Sequence, residues 1–188
     1  MAPLIVEPSA TATWHRLITD AAGRAATDLD EDSESYLVFL LMRYLRRPRV
    51  VRAVLALEFL EGLRQSRSLR RNRLQEVGDQ CLLFTGLFPE QAARRRVRLS
   101  YFVAIGQTAY GEVADSSDRG TRTLFRQLAT TFVGLSDVLR AVRDREGEPL
   151  MSALEAAERS LELDSGLARG CLAERTGATL IDAGERRH

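Results

Sequence analysis

Few side chains of this 188-residue sequence have the type and spacing that catalysis or metal binding requires. His15 and the terminal His188 are its two histidines, so the Glu-x-x-His pattern of di-iron helical bundles is absent. Cys81 lies on an apolar helical stripe with Asp79 as its nearest charge, and burial beside a negative charge disfavours a reactive thiolate. No glycine-rich phosphate loop or dinucleotide motif occurs. We therefore expect no catalytic residue, no metal and no cofactor, and the sequence favours a non-enzymatic protein without establishing it.

A group of polar side chains interrupts the apolar stretches of two predicted neighbouring helices. Ligand pockets combine apolar walls with a few converging polar groups, so these side chains are candidate pocket residues. The alternative is a buried hydrogen-bond network in which the fold itself satisfies the tyrosine hydroxyls, and the sequence favours this alternative. The candidates are Asp79, Gln80, Arg98, Tyr101, Gln107 and Tyr110.

All 27 basic residues are arginine, a bias that we attribute mainly to codon usage in a GC-rich genome. The charge is segregated: residues 1–35 hold two arginines and seven acidic residues, whereas residues 43–98 hold 14 arginines and five acidic residues. If consecutive helices fold back on one another, two arginine-rich stretches meet at one end of the molecule, where a helix N-terminus also favours anions. This arrangement predicts an anion-binding pole formed by Arg43, Arg46, Arg47, Arg49, Arg52, Arg94, Arg95 and Arg98.

Several ligands would suit such a pole: nucleic acid, an acidic protein or an anionic metabolite. Nucleic acid is not favoured, because the stretches lack interleaved aromatic residues for base stacking and the sequence pI is only about 7.8. A solvated charged face without a ligand is the commonest outcome for clusters of this kind. The ligand of the pole therefore stays open.

Composition and apolar spacing predict an all-α protein, since Leu, Ala, Glu and Arg are abundant and β-branched runs are few. Short connections between consecutive helices favour antiparallel neighbours, which predicts an up-and-down helical bundle of about six to eight helices. Ala104, Thr108 and Gly111 form a stripe of small residues that we expect to pack closely against another helix. Apolar residues recur at helical spacing over 12–29, 34–46, 49–64, 68–85, 89–113, 121–143 and 150–163, with a further short helix predicted over 165–174.

The bulk properties indicate one soluble helical domain, predicted over residues 11–175 with flexible ends at 1–10 and 176–188. The longest apolar run, 36–42, is far too short to cross a bilayer. The N-terminus lacks the basic start and long apolar stretch of a signal peptide. Cys81 and Cys171 have no zinc or redox spacing, so we expect reduced thiols in a cytoplasmic protein with no membrane contact.

These observations predict a class of fold more firmly than a function. The leading hypothesis is a non-enzymatic helical regulatory module that acts through protein–protein contacts, with a protein partner or as a homodimer, and that carries the arginine-rich pole as a candidate anion site. One alternative is a nucleic-acid-associated regulator that uses the same arginines. The other is a small-molecule-binding protein, or a cofactor-free enzyme, with a pocket between the predicted helices 68–85 and 89–113.

Overall fold

The computed structural model describes residues 10–46, 67–90, 97–143 and 151–176. These residues form eight helices and no strand, which confirms the predicted all-α helical bundle. The predicted helix 49–64 and residues 1–9 and 177–188 of the predicted flexible ends lie outside the described residues. The helices are α1 (Ala10–Arg24), α2 (Glu31–Arg46), α3 (Arg67–Gly86), α4 (Leu99–Asp115), α5 (Arg119–Thr130), α6 (Phe132–Arg143), α7 (Ala153–Leu163) and α8 (Gly166–Thr176).

None of the helices in the described ranges combines the length and the apolar character needed to cross a membrane. Their buried faces instead form one apolar core, to which all eight helices contribute residues. The core therefore lies where the helices meet, and the polar sites described below are set into it or at its edge.

The close packing of α3 on α4 depends on a glycine. A Cβ atom at Gly78 of α3 would lie only 2.4 Å from the ring of Tyr110 on α4. Further along α3, Phe84 stacks on Phe102 of α4 with ring centroids 5.2 Å apart. Because the contacts advance along α3 while they retreat along α4, the two helices are antiparallel.

The predicted stripe of small residues on α4 does not pack against another described helix. Ala104 and Thr108 are exposed, and a Cβ at Gly111 would meet nothing within 4 Å. The close approach occurs on a different face, at Gly106, where a Cβ would lie 2.3 Å from the ring of Phe132. The small residues were identified from the sequence, but the face that turns inward was not.

The predicted helix over 121–143 is two helices, because the chain breaks between α5 and α6. The hydroxyls of Thr130 and Thr131 donate to the carbonyls of Arg126 and Gln127 at 2.9 and 2.8 Å. Such back-bonding competes with the helical ladder and bends helices. The break lets Phe132 enter the core, where it is fully buried.

The predicted helix over 89–113 is also interrupted. The backbone is helical at Pro89 and Glu90, and residues 91–96 lie outside the described residues. Arg98 is extended, with φ −67° and ψ 145°, and α4 begins at the next residue. The approach to α4 is therefore irregular, and a groove described below lies beside it.

Gly106→Ala should destabilise the protein by about 1–3 kcal/mol, because the added methyl group must displace the buried Phe132 ring and the Cβ of Cys81, which would lie 3.0 Å away. Gly111→Ala on the same helix is the matched control, since it faces open space. It should be neutral or stabilise the protein by up to about 1 kcal/mol through helix propensity. Urea unfolding followed by circular dichroism measures both, and equal losses in the two variants would contradict this packing.

Candidate functional site

Asp79 on α3 is a buried carboxylate that joins three helices. The residue is 3% exposed. Oδ1 accepts hydrogen bonds from the hydroxyls of Tyr36 on α2 at 2.5 Å and of Tyr110 on α4 at 2.8 Å. Oδ2 forms an ion pair with the guanidinium of Arg43 on α2. Because three donors compensate the buried charge, this cluster ties α2 to the α3–α4 pair.

Burial dominates the ionisation of this network. It raises the pKa of Asp79, and the charge of Arg43 and the hydrogen bonds from the two tyrosines partly oppose that rise. Partial burial would lower the pKa of Arg43, but the charge and hydrogen bond of Asp79, together with Tyr36 and Tyr110, outweigh it and raise that pKa. Burial, followed by the charge of Asp79, raises the pKa values of Tyr36 and Tyr110 well above 10. The two phenols therefore remain protonated donors at neutral pH.

The predicted pocket residues divide into two groups. Asp79 and Tyr110 meet in the network, and Gln80 is buried next to Asp79 in the chain. Tyr101 is 45% exposed, Gln107 is half-buried, and Arg98 is exposed beside α7. None of these last three bonds to the Asp79 network. The network is completed instead from α2, by Tyr36 and Arg43, whose partners depend on how α2 packs and so had no signal in the spacing.

The arginines of the predicted anion-binding pole with described side chains do not share a site. Arg43 is half-exposed and paired with Asp79, whereas Arg98 lines a groove beside α7. The side chains of the others lie outside the described part of the chain, so the pole stays a prediction. These are Arg46, Arg47, Arg49, Arg52, Arg94 and Arg95.

A cleft of about 160 Å³ opens between α2 and α3, directly beside Asp79. Its apolar walls are Leu40, Leu83 and the ring of Tyr44, and its polar lining includes Arg43 and Gln80. Glu76 and Asp79 complete the lining. The ion pair between Arg43 and Asp79 therefore forms part of a wall, with one member buried and the other reaching solvent.

A second buried ion pair, which the sequence analysis did not identify, joins four helices. Asp137 on α6 and Arg159 on α7 are each 1% exposed. Arg159 donates from Nε to Asp137 at 3.0 Å, and its other nitrogens donate to the carbonyl of Thr85 on α3 at 2.8 Å and to the hydroxyl of Ser136 at 2.6 Å. Ser165, just before α8, donates its hydroxyl to Asp137 at 2.8 Å. All three guanidinium nitrogens are thus used inside the fold.

Local signals place α7 and α8 for this contact. Ser152 caps α7 by accepting a hydrogen bond from the N–H of Glu155 at 3.1 Å. Asp164, the C-cap of α7, adopts the left-handed conformation with φ 54°. Ser165 follows at once and caps α8 by accepting from the N–H of Ala168 at 3.1 Å. The tight reversal brings the Ser165 hydroxyl to Asp137.

The sequence contained one signal for this pair. Arg159 stands at helical spacing between Ala156 and Leu163, and all three side chains are buried. A charged residue on the apolar face of a helix requires a buried partner. The spacing could therefore have indicated that Arg159 is paired, but only the packing of α7 on α6 identifies Asp137 as the partner.

An open groove of about 460 Å³ lies between α7 and the approach to α4, with Arg159 in its lining. Glu155 on its wall accepts from Arg140 at 2.9 and 3.2 Å. Glu162 accepts from the N–H of Leu99 at 3.1 Å and links α7 to the first residue of α4. The apolar lining is Pro89, Val97, Leu99 and Leu154, and the acidic lining is Glu90, Glu155, Glu158 and Glu162.

Both cysteines are free and buried, as the sequence predicts for reduced thiols. Burial, followed by the charge of Asp79, raises the pKa of the Cys81 thiol. The thiol therefore stays protonated at neutral pH, which opposes a nucleophilic role.

Among the described residues, no cluster of histidine, cysteine and acidic side chains could hold a metal ion. Comparisons of the chain with protein-family models, with curated proteins and with solved structures found no match. The function must therefore be argued from the geometry of the cleft and the groove.

Asp137→Asn should destabilise the protein by about 3–5 kcal/mol, because it leaves the charge of Arg159 buried without a counter-ion. The control is Asp115→Asn, which removes an exposed pair with Arg126 at 3.0 Å and should change stability by no more than about 0.5 kcal/mol. Adding Arg159→Met to Asp137→Asn should cost less than the sum of the two single changes. Urea unfolding measures all four variants, and strict additivity would contradict the pairing.

The free energy of unfolding should fall as the pH rises above 10. Tyr36 and Tyr110 have folded pKa values raised above their ordinary value of 10, so their contribution is present below pH 10 and is lost as the pH rises through the folded values. Because the chain has no lysine, tyrosines and cysteines are the side chains that titrate in this range.

Tyr36→Phe should reduce the slope of unfolding free energy against pH by up to about 1.4 kcal/mol per pH unit, the contribution of one proton. Tyr101→Phe, which removes an exposed phenol, controls for the loss of a hydroxyl alone. Urea unfolding between pH 9 and pH 11 gives the slopes. An unchanged slope in Tyr36→Phe would show that Tyr36 does not titrate with unfolding.

Proposed function

We propose that this protein is a non-enzymatic helical interaction module that binds a positively charged, amphipathic segment of a partner protein along α7. The observation that carries the proposal is the outer face of α7, where Leu154 and Leu161 are 70% and 88% exposed. Leucines seven residues apart lie on one side of a helix, the spacing of helix–helix contacts. Leu154 also lines the groove, so this face and the groove form one surface.

The charge of this surface supports a basic partner. Glu90 is paired with Arg143, and Glu155 with Arg140, so the fold neutralises both. Glu158 and Glu162 form no ion pair within the described residues and are exposed beside the two leucines, and they outnumber the exposed Arg98 in the same lining. A segment with apolar residues on one face and lysine or arginine on the other would complement both features.

The surface is held on a rigid base. Arg159 anchors α7 to α3 and α6, and Arg140 fixes the wall residue Glu155 from α6. A site held before binding loses less conformational entropy when the partner arrives, which favours affinity. The buried pair of Asp137 and Arg159 therefore supports a preformed docking surface.

A second copy of the chain is a less favoured occupant of the groove. In a two-fold dimer with α7 packed on α7 around its middle, Glu158 would face its own counterpart, and opposed like charges cost free energy. The same acidic residues disfavour nucleic acid on this surface. Neither objection applies to a cationic protein segment.

Fluorescence anisotropy with a labelled peptide of about four helical turns, leucine on one face and lysine on the other, tests the proposal. Binding should weaken as salt is raised. Leu154→Gln and Leu161→Gln should each weaken it about tenfold, because each removes an apolar anchor. Leu69→Gln, which alters a 59% exposed leucine on α3, is the matched control and should leave affinity unchanged.

A peptide of the same composition, scrambled so that leucine no longer occupies one face, separates docking from general attraction between charges. Equal affinity for both peptides, or equal loss in all three leucine variants, would contradict docking on α7. Light scattering supplies the remaining discrimination. If the protein is a dimer that dissociates in Leu154→Gln, the occupant of the α7 surface is a second copy of the chain and not a partner segment.

A further inference from the structure

Gln80 is a buried polar residue whose hydrogen-bonding capacity is not used. The residue is 8% exposed and lines the cleft between α2 and α3. The amide oxygen Oε1 is buried and has no hydrogen-bond partner among the described residues. Leaving a buried acceptor unpaired costs free energy, so such groups in folded proteins call for a specific explanation. Because this oxygen has almost no accessible surface, a ligand in the cleft would satisfy it once the amide rotates toward the cleft.

Arg43 provides the opposite polarity in the same cleft. Its side chain is 50% exposed, and one nitrogen is held by Asp79. A guanidinium has five N–H donors arranged for bidentate contact with a carboxylate, and the ion pair with Asp79 fixes its position without using them all. Asp79 is committed to Tyr36, Tyr110 and Arg43, so its role is to position Arg43 rather than to meet a ligand.

The remaining lining sets the size and character of the ligand. The cleft measures about 160 Å³, and Leu40, Leu83 and the ring of Tyr44 form its apolar walls. A cavity of roughly this size holds one small ring or a short branched chain. Glu76 adds a negative charge to the lining, although it is also paired with Arg73 at 3.1 Å. An ammonium group would be attracted by both Gln80 and Glu76, whereas a neutral N–H would satisfy Gln80 alone.

We propose that this cleft binds a small zwitterion with a short apolar side chain, the chemistry of an aliphatic amino acid. The carboxylate bonds to Arg43, the ammonium donates to Oε1 of Gln80 next to Glu76, and the side chain contacts Leu40 and Leu83. This site is separate from the α7 groove, and neither proposal depends on the other.

Isothermal titration calorimetry with L-leucine tests the site. Binding should be measurable at concentrations up to about 10 mM. It should weaken about tenfold or more for 4-methylpentanoate, which lacks the ammonium, and for isoamylamine, which lacks the carboxylate, since each loses a charge-assisted contact. Uracil, which presents a neutral N–H beside a carbonyl group, tests whether a neutral ligand suits the cleft, and it should bind more weakly than L-leucine. No heat with L-leucine, or tighter binding of any of the three other compounds, would overturn the proposal.

Gln80→Met separates a ligand contact from a structural role. Methionine has nearly the shape of glutamine but no polar oxygen, so the variant should lose L-leucine binding while its ligand-free Tm rises by about 2–4 °C, because a buried unpaired acceptor is removed. Gln107→Met, at a half-buried glutamine outside the cleft, should keep binding unchanged. A Tm lowered by Gln80→Met, or binding retained in it, would show that Gln80 serves the fold alone and overturn the assignment.

Discussion

A carboxylate buried in a helical core must be compensated by donors from neighbouring helices, and two such carboxylates help to determine how the helices of this protein meet. Asp79 draws Tyr36 and Arg43 of α2 onto the α3–α4 pair. Asp137 draws Arg159 of α7 and Ser165, at the start of α8, onto α6. Apolar contacts alone tolerate many relative positions of two helices, whereas hydrogen bonds to a buried charge tolerate few. The two carboxylates therefore add positional specificity to a core that burial stabilises.

The candidate sites are consequences of the same constraint. Long side chains from α2 reach Asp79, and the cleft lies beside that contact between α2 and α3. At the second carboxylate, Arg159 fixes one face of α7, which leaves Leu154 and Leu161 on the face that points to solvent. A helix whose inner face is held by an ion pair does not need its outer leucines for folding. Leu154 and Leu161 can therefore contact a partner without loss to the fold.

Helix positions could be predicted from the sequence because apolar spacing is a local property. The predicted helix 68–85 differs from α3 by one residue at each end, and 34–46 differs from α2 only at its start. The break at Thr131 and the extended Arg98 were missed, since threonine back-bonding and a local departure from helix leave the apolar spacing unchanged. The sites were harder still. Asp79 and Tyr110 were identified as candidates that interrupt apolar stretches, but Asp137 and Arg159 were not, because pairing across helices depends on packing that local patterns do not contain.

This chain has no lysine, so its arginines supply both structural and ligand-binding cations. The number of N–H donors that an arginine uses within the fold distinguishes the two roles. Arg159 uses Nε and both terminal nitrogens within the fold and is 1% exposed, so its guanidinium is not accessible to a ligand. Arg43 is held by one nitrogen and is 50% exposed, so the fold fixes its direction and leaves the rest of its donors at the cleft. A guanidinium that is anchored but not consumed has lost its side-chain entropy before any ligand arrives, which is the condition for selective binding of an anion. Anchoring by Asp79 therefore does not remove Arg43 from recognition; it changes a mobile surface charge into a directed donor.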